Sequence, residues 1–107
     1  MAQITLQTPT LSVADLREAR LGRADLRWAD LILANLHKAE LCEAELTEAD
    51  LRFASLHWAN LRGACLEGAN LRGVNCRGAN LSMARYNART IWPEGFDPKA
   101  AGAVLAE

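Results

Sequence analysis

The sequence predicts an all-β solenoid wound as a square coil, in a single domain of 107 residues. Three observations predict it. From Ala14 to Ala88 the chain divides into fifteen consecutive pentads, with no insertion or deletion. The first position is Ala in every pentad except that of Val74, and the third is Leu in all but those of Cys76 and Tyr86. A five-residue period also fits no helix. At about 100° per residue the Leu positions would advance a net 140° or so, and spiral around every side without forming a stripe. In extended backbone, by contrast, residues two apart share a face, so Ala and Leu point the same way. A corner of about 90° after each pentad closes a square with all of them inside. Successive coils then stack at about 4.8 Å through parallel backbone hydrogen bonds. The core is made by stacking, so no coil is stable alone.

The runs Ala24-Asp25-Leu26, Ala29-Asp30-Leu31, Ala34-Asn35-Leu36, Ala49-Asp50-Leu51, Ala59-Asn60-Leu61, Ala69-Asn70-Leu71 and Ala79-Asn80-Leu81 carry an Ala-(Asp/Asn)-Leu-X-X signature. The chain resembles the pentapeptide-repeat proteins over roughly residues 4–90. The resemblance implies a right-handed quadrilateral β-helix, here of about four coils. Departures fall at Cys76 and Tyr86 in the Leu position, and at Arg20, Glu40, Glu45, Ser55, Cys65 and Arg85 in the polar one.

In chain order, residues 1–13 read as a degenerate start. Ile4 with Leu6, and Pro9 with Leu11, keep the apolar pairing, and Pro9 suits an edge coil where a donor is dispensable. Residues 14–88 are the regular repeats, and residues twenty apart should stack in columns. The columns oppose Arg20 to Glu40 and Arg23 to Glu43, and predict polar ladders at Asn35–Ser55–Asn75 and Asn60–Asn80. Asp25 falls beneath Glu45, a like-charge pair. Gly63, Gly68, Gly73 and Gly78 fill the fifth position of one full coil, where a type II turn needs positive φ. The earlier corners carry Trp28, Leu33, Lys38, Phe53 and Trp58, which predicts other turn types for them. Residues 89–107 form the cap. Tyr86, Trp92 and Phe96 suit the closing of an exposed solenoid end. Asp97 and Pro98 read as the N-cap and first residue of a short Ala-rich helix to about Ala106. The Trp-Pro-x-Gly-Phe-Asp-Pro tail resembles that of small pentapeptide-repeat proteins of cyanobacterial type.

Formal net charge is −1, which gives no general pull toward nucleic acid or anionic membrane. No apolar run is long enough to span a bilayer, and no signal segment opens the chain; the expectation is a cytoplasmic protein. Three Cys in unrelated repeat positions read as free thiols, with Cys76 inward and Cys42 and Cys65 outward.

A convex prism offers no cleft where nucleophile, base and orienting group converge. The expectation is therefore a non-enzymatic protein without cofactor, catalytic site or metal. His37 and His57 stack in one column, but two ligands do not make a metal site. Lys38 lies beneath Trp58, placed for a cation–π contact. Glu40, Glu43, Glu45, Glu48 and Asp50 form an acidic band with no base between them. Relatives in the resembled family mimic DNA and bind the type II topoisomerase DNA gyrase. Those are long acidic rods, whereas this chain is short and nearly neutral. The alternative surface is apolar: Val13, Leu33 and Phe53 share an outward column beside Ile32. The repeat does not need apolar residues there, so they mark a contact with an unknown protein partner or a homodimer face, unless the chain's own termini cover them. An interaction or scaffold module is the leading expectation.

Overall fold

A computed structural model of the chain describes residues 10–106. The expectations for Ile4, Leu6 and Pro9 lie outside the described residues. From Thr10 onward the backbone winds as a right-handed quadrilateral β-helix. Parallel bridges join residues twenty apart, as in Asp15↔Asn35↔Ser55↔Asn75 and Arg20↔Glu40↔Asn60↔Asn80. The first-position Ala and third-position Leu line the interior. From Leu26 to Leu66 every third-position Leu is at most 1% exposed. Each such burial contributes about 1.5–3 kcal/mol, and the small Ala beside it lets the backbone walls close in.

The hydrogen bonds explain the pentad residue by residue. The first-position N–H closes the corner, as Ala34 donating to Leu31 C=O at 3.0 Å. The second, third and fifth N–H groups reach neighbouring coils: Asn35 to Ala14 C=O (2.9 Å), Leu36 to Ser55 C=O (2.8 Å) and Lys38 to His57 C=O (2.9 Å). The fourth N–H has no such partner, and where the second residue is Asp or Asn its side chain supplies one. Asn35 Oδ1 accepts from His37 N–H and Asn60 Oδ1 from Arg62 N–H, both at 3.1 Å. Asn80 Oδ1 accepts from Ser82 N–H at 2.9 Å. This is a physical reason for Asp or Asn in the signature. The expected axial ladders at Asn35–Ser55–Asn75 and Asn60–Asn80 are thus not what these amides build. Their carbonyls are spent inside their own pentads.

The corners share one geometry, contrary to the expectation of several turn types. Every fifth residue from Val13 to Gly78 has positive φ, glycine or not: 61° at Trp28, Leu33, Phe53 and Trp58, 59° at Lys38, 71° at Gly63 and 76° at Gly78. With a single left-handed residue in third place and the Leu-to-Ala bond closed, each is a type II turn. The glycine coil has a second cause. A Cβ on Gly73 would stand 2.4 Å from the Phe53 ring, and one on Gly78 2.4 Å from the Trp58 ring. Corner rings of one coil lean over the glycines of the next.

After Tyr86 the winding gains a residue, so that Asn70 bridges to Ile91. Side chains repair the rung. Gly68 N–H donates to Asn87 Oδ1 (3.0 Å) and Thr90 Oγ1 (3.2 Å), while Thr90 Oγ1 donates to Leu66 C=O (2.8 Å). Tyr86 packs edge-on to Trp92 with centroids 5.5 Å apart, and Trp92 stacks on Phe96 at 5.1 Å. The C-terminal helix predicted from Asp97 to Ala106 does not form. Asp97 Oδ1 does accept from Lys99 and Ala100 N–H (3.1 and 3.3 Å), but only one turn follows. Gly102, at φ 91°, redirects the chain. Strand β2 (Val104–Leu105) then pairs in parallel with β1 (Arg85–Tyr86). So short a segment is a marginal helix, whereas Val104 N–H and Ala106 N–H satisfy the open carbonyls of Ala84 and Tyr86, both at 2.7 Å.

Candidate interaction surface

Because the invariant positions point inward, only corners and the polar and fourth positions face out. Val13, Leu33 and Phe53 occupy one corner column and are 70%, 57% and 56% exposed. The left-handed corner projects each side chain away from the core. Ile32, on the adjoining face, is half-buried. No described residue folds over the column, and the C-terminal segment is spent on the opposite task of closing the top. Trp28 and Trp58, on other corners, are also more than half exposed. Trp28 takes Arg27 over its ring at 5.8 Å. The contact expected between Lys38 and Trp58 is not made, since the Trp58 indole leans upward over Gly78.

The acidic band is largely neutralised within the chain. Arg23 Nε donates to Glu43 Oε1 at 2.9 Å. Arg27 bonds Asp25 Oδ2 at 2.7 Å and approaches Glu45 Oε1 at 3.4 Å. It therefore bridges the two acids that the columns left facing each other. Arg89 pairs with Glu48, and Arg52 with Asp50 at 2.7 Å. Of the two expected axial pairs only Arg23–Glu43 forms; Arg20 and Glu40 share a backbone bridge but no ion pair among the described residues. Three pairs, Arg17–Asp15, Arg27–Asp25 and Arg52–Asp50, each lie inside one pentad. The Arg17 side chain bonds both oxygens of Asp15 (2.8 and 2.7 Å), with a further bond from its N–H, and this holds the Asp15 carboxyl down at about 2. Arg27 and Arg52 lower Asp25 and Asp50 in the same way. Sequence columns did not reveal these pairs; the recurring Asp-Leu-Arg triplet was their signal.

His37 and His57 come closer than stacking alone requires. Their Nδ1 atoms are 3.1 Å apart, with ring centroids at 5.1 Å and a 29° tilt. No group of three or more His, Cys, Asp or Glu among the described residues could hold a metal ion. All three cysteines are free and half-buried. Burial pushes the Cys65 and Cys76 thiols up, which keeps them as inert thiols. No helix among the described residues is long and apolar enough to cross a membrane.

The family model for pentapeptide repeats matches eight copies, over residues 11–47, 29–68 and 49–85. No curated protein matches the sequence. Among solved structures, the chain is similar to a pentapeptide repeat protein from Nostoc PCC 7120, with 42% identity and a TM-score of 0.92; the match covers 94% of this chain and 83% of that one. It is also similar to a pentapeptide repeat protein of the Arabidopsis thaliana thylakoid lumen, with 33% identity and a TM-score of 0.79, over 91% of this chain and 61% of that one. A third, from the cyanobacterium Cyanothece 51142, is 36% identical with a TM-score of 0.54, over 79% and 61% of the two chains. The repeat, the square coil and these likenesses agree: the chain belongs to the pentapeptide-repeat family.

Proposed function

We propose that this protein is a non-enzymatic interaction module whose contact surface is the corner column Val13, Leu33 and Phe53, flanked by Ile32. One observation carries the reading. The column stays more than half exposed at all three levels, although nothing in the repeat requires apolar residues there. Side chains on successive coils form a continuous ridge, and contiguous apolar ridges mark contacts. The other occupant of the column is a second copy of the chain. The gyrase reading is supported poorly: Glu43, Glu45, Glu48 and Asp50 each meet an Arg of the same chain, which leaves Glu40 as the free acid of the band among the described residues.

The test is a Leu33→Asp, Phe53→Asp double variant. Both side chains lie outside the core, so the variant is expected to melt within a few degrees of the parent and to lose the bound partner, or the dimer, in affinity capture and sedimentation. Retention of the contact by the folded variant would remove the column from consideration.

A further inference from the structure

The face between the Val13–Leu33–Phe53 corner and the Glu18–Lys38–Trp58 corner carries a column of bases: Arg17, His37, His57 and Arg77, one per coil. Coils repeat at about 4.8 Å, so His37, His57 and Arg77 span about 10 Å at the backbone, a distance the long Arg77 side chain can shorten toward one small ligand. Its upper part is unneutralised. Among the described residues neither Lys38 nor Arg77 enters an ion pair. The other polar positions of the face above the first coil are Asn35, Ser55 and Asn75, all uncharged. Its acids are confined to the bottom. Asp15 is held by two bonds from Arg17, and Glu18 stands beneath Lys38 in the corner column. Across the other corner stand Arg52, paired with Asp50, and Arg72. Trp58 walls one side of the histidine pair, 5.6 Å from His57 and tilted 58°.

We propose that His37, His57, Lys38 and Arg77 form a binding site for an oxyanion, phosphate or carboxylate, that the histidine pair gates by protonation. The Nδ1–Nδ1 contact of 3.1 Å requires one Nδ1 to donate and the other to accept. In the neutral pair, the donor ring has no proton on Nε2, so the pair offers one outward N–H. One added proton goes to that Nε2. The inner bond survives, two Nε2–H groups now point away from it, and the pair carries one positive charge beside Lys38 and Arg77. A second added proton would set two Nδ1–H groups face to face and break the contact. The singly protonated pair is therefore the anion-binding form. Binding takes up at most one proton, so affinity rises as pH falls. A guanidinium one coil above supplies paired donors suited to a planar or tetrahedral oxyanion.

The test uses the whole chain at low ionic strength, where surface charge is least screened. Pyrophosphate and succinate are titrated separately and followed by amide and imidazole NMR shifts at pH 6 and pH 8. Which titrant binds tighter assigns the ligand to the phosphate or the carboxylate class. The expected result is about tenfold tighter binding at pH 6, with shifts centred on His37, His57, Lys38 and Arg77. Arg77→Gln should weaken binding at both pH values, a His37→Gln, His57→Gln double variant should erase the pH dependence, and Arg62→Gln, on the next face, should change neither. Equal affinity of the parent chain at the two pH values would overturn the proposal without recourse to any variant. So would shifts spread evenly over Arg62, Arg72 and Arg77, the signature of diffuse charge.

Discussion

At the residue scale, the pentad is a hydrogen-bond account with one orphan, the fourth N–H, and a second-position Asp or Asn settles it. Where that residue is Glu40, the longer carboxylate misses its target. Among the described residues nothing accepts from the Cys42 N–H. Glu40→Asp keeps the charge and shortens the reach, and it should raise stability by about 0.5–1.5 kcal/mol, read as a shift in urea midpoint without change in slope. The Asp–Arg pairs set the acid limit. Asp15, Asp25 and Asp50 all have lowered folded-state values, Asp15 about 2. Such carboxylates contribute stability that is present above the unfolded value near 4 and lost as pH falls through the lowered folded values. The melting temperature should hold from neutral pH to about pH 5 and drop between about pH 4 and pH 2. In an Asp25→Asn, Asp50→Asn variant that acid slope should flatten, because Asn still accepts the fourth N–H but no longer titrates.

At the element scale, what the sequence showed and what it hid divide cleanly. Period, core positions and the closing role suited to Tyr86, Trp92 and Phe96 follow from spacing two apart and from bulky residues after the last pentad. The corners were harder. Gly63 to Gly78 announce positive φ, but Lys38 and Phe53 adopt it too, at 59° and 61°. There the ladder above and below dictates the turn, and local preference is overruled at about 1–2 kcal/mol per residue. The tail misled for a related reason. Asp97-Pro98 is a sound start signal, and a strand won because an unpaired ladder edge lay within reach. Gly73 measures the corner physics directly. Gly73→Ala meets both a left-handed backbone and the Phe53 ring, and should cost more than the 1–2 kcal/mol of conformation alone, roughly 2–4 kcal/mol. Adding Phe53→Ala should return the penalty of the Gly73 change to about 1–2 kcal/mol. A double-mutant cycle by chemical denaturation checks it, and a cycle with no coupling would show that the ring makes way freely.

At the scale of the whole molecule, the prism separates duties by direction. Inward positions hold the stack, and substitutions there act on stability through every neighbouring coil. Outward positions vary without touching the core, and on them the four faces have diverged. One corner is apolar, one face is basic and imidazole-bearing, and the acidic side is offset by its own arginines. The column Val13–Leu33–Phe53 was legible from periodicity, because twenty-residue stacking places its members. The close Nδ1 contact of His37 with His57 was not, because spacing gives a column and never a rotamer. The most direct test of the division is site-specific photocrosslinking in native lysate, from a photoreactive phenylalanine analogue at position 33, with the same probe at position 62 as reference. The expected result is a discrete adduct from position 33 that position 62 does not give. No adduct from position 33, or the same adducts from both, would contradict an interaction surface on the apolar corner.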